Sequence, residues 1–239
     1  MKTVKYKGEH KQLYVLADTH LEHPNTDLRL IKDHIQLIKN SGKPWVHLGD
    51  WVDAIGPHDR RFSIKDQRES VVDSYEKMHD LFEPIAPQCI AALRGNHGTS
   101  WSRVQGDMVR IICKRWGVPY LGYTGFVLFF VSNKSYKIFM HHGAGGGRKR
   151  GAKTIRLNEW AQFVEADIYL QGHTHTYVQF NDEKILPNNR VKVRHYANAT
   201  GYIRSYRGHD NYIEELGLNP QSAGCLKISF DPIKIELVT

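Results

Sequence analysis

LYVLADTH, residues 13–20, opens with an apolar run and closes on a carboxylate and an imidazole two positions apart. The run is too short for an independent helix and is bounded by polar residues, so it reads as a buried strand. Strand side chains alternate, so Asp18 and His20 would point the same way if extended geometry continued past Ala17. Open α/β sheets gather their sites outside the carboxyl ends of strands. Whether other strands end in the same kind of chemistry therefore decides the architecture.

They do. Outward from this stretch, Thr26-Asp27 caps a helical pattern carrying Leu28, Ile31, Ile35 and Ile38 at spacings of three and four. WVHL (45–48) is the next strand and runs into Gly49-Asp50-Trp51-Val52-Asp53. A helical stretch over 64–81 is closed by Pro84, and CIAAL (89–93) precedes Gly95-Asn96-His97. A helix is predicted over 103–116. FVLFFV and YKIFM flank 132–135 as a hairpin, which ends in His141-His142-Gly143. A helix over 155–164 leads to DIYLQ and Gly172-His173-Thr174-His175, and four strand-like pieces follow: YVQF, VKVRHYA, CLKISF and IKIEL. The first half looks βαβα and the second largely antiparallel, which predicts an α/β sandwich with mixed sheets.

Each polar cluster taken singly suits a turn or a helix cap. Repeated after five strands, the same coincidence would have to occur five times. Carboxylate, amide oxygen and imidazole without thiolate suit Mn, Fe, Zn or Co; the nitrogens are too many for calcium. Asp18, His20, Asp50, Asn96, one histidine of the 141/142 pair, His173 and His175 make seven donors, enough for two divalent ions that share Asp50. Two dications less two carboxylates leave positive charge that attracts a phosphate. Such a pair can clamp phosphoryl oxygens and activate a water. His97 is spare in that count and can act as a general acid. Asp53 is expected to orient one of the histidines.

The ordered set D-x-H, G-D-x-x-D, G-N-H, H-G and G-H-T-H resembles the calcineurin-like metallophosphoesterase family over residues 18–175, and Asn198-Ala199-Thr200-Gly201 is similar to that family's later Asn/Gly turn. The resemblance implies a four-layer αββα sandwich of two mixed β-sheets, formed by 1–239 as a single domain. It implies Asp18, His20 and His175 on the first metal, Asp50 bridging, Asn96, a 141/142 histidine and His173 on the second, and His97 as the catalytic histidine. Of the pair, His142 is favoured because it directly precedes Gly143 while alternation sends His141 to the opposite face. Gly98 departs from the acidic residue the family often carries there, which either opens the metal site or leaves a histidine less firmly oriented.

Three widely spaced cysteines and no C-x-x-C speak against a disulfide framework. The amino terminus lacks an apolar secretory region and the longest apolar run cannot span a bilayer, so a cytoplasmic setting is expected. A net charge of +8 favours polyanionic partners. GGGRKRGAKT (145–154) approaches a phosphate-binding P-loop, but Ala152 occupies the lysine position; it reads better as a basic rim in which Arg148, Lys149 and Arg150, with Lys153, meet substrate phosphates. Arg60 and Arg61 could extend that rim. Tyr202, Tyr206 and Tyr212 interleaved with Arg204 and Arg207 suit either base stacking or an ordinary packed edge. The expectation is a dinuclear-metal phosphodiesterase, with Mn foremost, acting on nucleic acid or nucleotides. A phosphomonoesterase such as a protein phosphatase, or a non-catalytic scaffold on the same fold, stands as the alternative.

Overall fold

Residues in LYVL alternate between two cores. Leu13 and Val15 face one way and Tyr14 and Leu16 the other, all buried. A strand covered on both faces implies layers on both sides. The computed structural model describes residues 1–55, 70–145, 150–206, 212–215, 217 and 219–239.

The elements run β1 (Lys2–Lys7), β2 (Gln12–Leu16), α1 (Leu28–Ser41), β3 (Trp45–His47), α2 (Val71–Phe82), β4 (Cys89–Leu93), α3 (Asn96–Gln105), α4 (Met108–Trp116), β5 (Tyr120–Gly122), β6 (Thr124–Val131), β7 (Lys134–His141), α5 (Arg150–Phe163), β8 (Ile168–Gln171), β9 (Val178–Ile185), β10 (Val191–Asn198), α6 (Tyr212–Glu215), β11 (Cys225–Ser229) and β12 (Lys234–Val238). One sheet has the order β1-β6-β7-β8-β10-β9 and the other β12-β11-β2-β3-β4-β5. Both are mixed: β7, β8 and β10 run parallel in the first, β2, β3, β4 and β5 in the second, with antiparallel strands alongside.

The central core lies between the sheets, where Leu13, Val15, Val46 and Leu93 meet Val127, Phe129, Met140 and Leu170. On the outer face of the second sheet, Leu16 and Trp45 pack under α1, α2 and α4 through Ile31, Ile35, Tyr75, Phe82 and Ile112. On the outer face of the first, Phe139, Tyr169 and Tyr196 pack under Leu157 of α5. The result is the four-layer αββα sandwich. Each such aromatic or aliphatic side chain contributes about 1.5–3 kcal/mol by leaving water.

The edges of elements moved from expectation for local reasons. β1 and β5 are additional strands. The predicted helix over 103–116 is two helices, because Gly106 takes φ 93° and Asp107 restarts the chain by accepting from Arg110 N at 3.1 Å. On α1, Asp27 caps through Leu30 N and Gly42, at φ 65°, ends the helix; its buried stripe is Ile31, His34, Ile35 and Ile38, with Leu28 left exposed. α5 starts at Arg150, so Gly151, Lys153 and Thr154 are helical, while 146–149 of the same stretch lie outside the described residues. Among the described residues no helix is long and apolar enough to cross a membrane. The three cysteines are free and buried.

Candidate metal centre

β2, β3, β4, β7 and β8 end at one edge of the sandwich, and the next few residues of each carry the polar clusters. Side-chain alternation is not what aims them. The chain turns at the donors themselves: φ is 49° at Asp18, 40° at His20, 53° at Asp50, 67° at His173 and 48° at His175. A non-glycine residue in that region costs about 1–2 kcal/mol. The loops meet the cost by bonding to one another: Asp18 N donates to Gly49 O at 2.9 Å, His20 N to Asp50 O at 3.1 Å, and Tyr202 N to Asp18 O at 3.2 Å. Gly95, at φ 152°, lies against the Asp50 carboxylate where no side chain fits.

Seven expected donors and His97 converge. Asp18, His20 and His175 form one group whose donor atoms lie within 4.8 Å of one another; Asp50, His142 and His173 form a second; His20, Asp50 and His97 link the two. Asn96 joins the second group, its Oδ1 lying 2.8 Å from His142 Nε2 and 2.8 Å from His173 Nδ1. His141 is turned away: its ring lies 4.2 Å from that of Trp160, and its Nδ1 accepts from Gly143 N at 2.7 Å.

The donor set fits cations. Asp53 Oδ1 lies 3.2 Å from His20 Nδ1 and directs that ring's proton outward, leaving the Nε2 lone pair to face His175 Nε2 at 3.0 Å. Leu48 O likewise accepts from His142 Nδ1 at 2.8 Å, so its Nε2 points at Asp50 Oδ2, 3.2 Å away. Lone pairs facing one another are stabilised by a positive ion between them. Asp18 and Asp50 are both buried, and among the described residues their ion pairs are all with histidines.

Burial alone would raise both carboxyls. The facing imidazoles, chiefly His175 for Asp18 and His142 for Asp50, outweigh it and hold both below the ordinary carboxylate range. Burial also opposes charge on His142, but the Asp50 carboxylate prevails and lifts it to about 9. His20 has no such partner of equal weight, and burial brings it down to about 4.

His97 is fastened on two sides. Its Nδ1–H donates to the Asp53 backbone carbonyl, and its Nε2 is left facing the centre, 4.0 Å from Asp50 Oδ2. Gly98 therefore does not loosen the histidine. The space beside it is filled instead by the Arg94 stem and the Tyr75 hydroxyl, 2.9 and 3.2 Å from where a side chain would begin.

Beneath the centre lies a support that motif reading missed. His47 stacks on Trp51 at 3.6 Å, burial holds it at about 3, and its Nδ1 accepts from Gly49 N at 3.0 Å. Thr19 Oγ1 donates to Trp51 O at 2.8 Å. The signal available was His47 itself, placed inside a strand that runs into the Asp50 turn. Tyr123 also escaped notice; its hydroxyl donates to Gly143 O at 2.9 Å and its ring abuts His142.

The basic segments fare differently. Arg148 and Lys149 lie outside the described residues, as do His58, Arg60, Arg61 and Arg207, and the side chains of Arg150 and Tyr212 are not described either. Lys153 turns inward, donating to Thr174 O at 3.1 Å and Thr176 Oγ1 at 2.5 Å, so it braces the histidine loop. Tyr202 is buried with its hydroxyl on His34 Nδ1 at 2.9 Å, and Arg204 pairs with the helix cap Asp27 at 2.7 Å. Neither is placed to stack on a base.

Comparison with known proteins agrees in kind. No curated protein matches the chain. Among solved structures it is similar to YfcE, a phosphoesterase from E. coli, at 17% identity over 95% of this chain and 100% of that one, with a TM-score of 0.48. It is similar to a predicted phosphoesterase from Streptococcus pneumoniae at 15% identity over 96% and 89%, TM-score 0.44. A metallophosphoesterase from Sphaerobacter thermophilus is 14% identical over 95% and 88%, TM-score 0.44. The family model described as calcineurin-like phosphoesterase matches residues 11–177, which takes in every donor loop and most of the chain. With two His/Asp clusters side by side at the strand ends and that match across them, the chain belongs to the calcineurin-like phosphoesterase family.

Proposed function

We propose that this metal-dependent phosphoesterase is a phosphodiesterase whose substrates are nucleic acids or nucleotides, acting through two divalent ions held by one domain spanning 1–239. The observation that carries the reading is the position of Asp50: its Oδ2 lies 3.2 Å from His142 Nε2 and 3.8 Å from His20 Nε2, one histidine in each donor group. Asp18, His20 and His175 would hold the first ion, Asn96, His142 and His173 the second, with Asp50 shared. Manganese is the first candidate, with iron, zinc or cobalt as the others. Such ions would supply Lewis-acid chemistry: charge to stabilise phosphoryl oxygens and a lowered pKa for a water.

The chain's own residues do the rest. Asp53 and Leu48 O keep His20 and His142 in the tautomers that present Nε2 to the centre. His97 Nε2 delivers a proton to the leaving oxygen, with Asp53 O holding the ring in place. A net charge of +8 supports polyanionic substrates, and Arg148, Lys149 and Arg150 would form the rim that meets phosphates beyond the scissile one. The buried thiols suit a reducing, cytoplasmic compartment.

The test is a substrate panel on the manganese-loaded protein: bis-p-nitrophenyl phosphate, p-nitrophenyl phosphate, single-stranded and duplex DNA, and RNA. Diesters should be cleaved faster than the monoester, with at least one nucleic acid among them. Cleavage of the monoester alone would overturn the diester preference. No turnover with both ions bound would replace the hydrolase reading with a scaffold on the same fold.

A further inference from the structure

On the α5 side of the loop carrying His173 and His175 is a second polar site. β7, β8 and β10 are in register as His141↔Gln171 and Gln171↔Asn198, so three polar side chains stand abreast at the strand ends. All three are buried. Polar groups so enclosed are normally paired throughout, yet the Gln171 Nε2 and Asn198 Oδ1 atoms have no partner among the described residues. The Gln171 amide orientation is settled by its neighbour: Trp160 Nε1–H can only donate and lies 3.2 Å from Gln171 Oε1, so the other end is the NH2 group. Leaving such a donor unmet in the interior is unfavourable, and a ligand acceptor would relieve it.

Gln171 also lines a cavity of about 340 Å³ that is walled by Ala144 and Gly145 after β7, by Ala152, Lys153 and Arg156 of α5, and by Thr174. That volume is in the range of small-molecule sites, about 300–1,000 Å³. The cavity adjoins the metal centre through Gly143. A side chain begun at Gly143 would lie 2.7 Å from His173 Cβ and 3.2 Å from Gln171 Cγ, so this residue's backbone is the partition between the two.

We propose that the α5 cavity is the subsite for the nucleoside part of a nucleotide substrate, with the Gln171 amide donating to a carbonyl or ring nitrogen of the base. The proposal rests on the nucleotide-directed reading above and names the part of the substrate that this cavity holds. An unmet donor on the cavity wall complements the carbonyl and ring-nitrogen acceptors on the edge of a base. The Ala144, Ala152 and Ile155 walls receive the ring's apolar surface, and the Arg156 side chain stands at the rim.

The experiment is calorimetric titration of uridine and adenosine into the full-length, manganese-loaded chain and into two variants. Gln171→Met keeps the side-chain volume and removes the donor. Ala152→Trp fills the cavity from an exposed helix position and leaves the core alone. The wild type should bind at least one nucleoside, and each variant should weaken that binding by about tenfold or more. In parallel, the ratio of kcat/KM for the p-nitrophenyl ester of thymidine monophosphate over bis-p-nitrophenyl phosphate should fall by about tenfold in both variants. Failure of the wild type to bind either nucleoside, or binding indifferent to both substitutions, overturns the subsite. The two readings separate cleanly: diester cleavage without nucleoside binding sinks the subsite alone, whereas nucleoside binding through Gln171 without cleavage sinks the hydrolase alone.

Discussion

The backbone N–H of His97 donates to Asp50 Oδ1 at 2.9 Å, so the residue proposed to protonate the leaving group is fastened to the carboxylate proposed to bridge the ions. Asp50 thus serves two tasks with two oxygens. Replacing it with asparagine keeps the shape but removes the charge that lies 3.2 Å from His142. Asp50→Asn should lower the bound metal below two per chain and reduce kcat by about 10²–10³ or more, with circular dichroism unchanged. Metal analysis after gel filtration reads the first, and diester turnover the second.

His97 supplies a proton and no metal bond in this account. The His97→Ala variant should retain both ions while kcat falls by about 10²–10⁴ on substrates with alkoxide leaving groups. The loss should be smaller with p-nitrophenolate, which departs without protonation. Parallel assays on an oligonucleotide and on bis-p-nitrophenyl phosphate give the comparison. Equal losses on both would assign His97 a role other than proton donor.

Asp53 touches no proposed ion. It holds the His20 ring at 3.2 Å through its carboxylate and the His97 ring through its carbonyl. Asp53→Ala keeps the carbonyl contact but removes the carboxylate, which also stands 3.4 Å from His97 Nδ1, and should weaken metal affinity by about 10–100-fold. A competition titration with a chelating dye measures it; unchanged affinity would show that His20 needs no such anchor.

Away from the centre, His34 makes stability depend on pH. Burial lowers its pKa from 6.5 to about 4, against the opposing pull of Asp33 and Asp27. Above 6.5 neither the folded nor the unfolded chain is charged there and the contribution is complete. Below that pH the unfolded chain takes up a proton that the folded one refuses until about 4, so stability declines across this window by at most about 3 kcal/mol. His34→Phe should flatten the stability curve over that range in urea melts. A slope equal to the wild type would place the acid sensitivity elsewhere.

Much of this was legible in the chain because apolar runs and polar clusters alternate so plainly. The strands leading to Asp18, Asp50, Asn96 and His173 are short, mostly apolar runs buried on both faces, and the strand leading to His142 closes on the apolar Ile138-Phe139-Met140. The half-exposed edge was harder. β1 offers only Val4 and Tyr6 among lysines, and β5 is three residues long, so neither stands out from a loop. α3 begins at the G-N-H motif itself, and its Gly, Thr and Ser content hides a helix that tertiary contacts impose. The left-handed turns at the donors were not legible, because aspartate and histidine, though enriched among the non-glycine residues found there, adopt that conformation in only a small minority of cases; contacts between the loops enforce it. Tyr202 and Arg204 left base stacking and a packed edge both open, because alternating aromatic and basic residues suit either, and only the positions of His34 and Asp27 decide between them. Gln171 was read as the end of a strand and nothing more, since an unmet hydrogen bond exists only in three dimensions.

The most direct test of the central claim is anomalous scattering from crystals of the manganese-loaded chain. Two peaks should appear, one at coordinating distance, about 2.0–2.2 Å, from Asp18, His20 and His175, the other from Asn96, His142 and His173, with Asp50 touching both. A single peak, no peak, or peaks away from these seven side chains would contradict it.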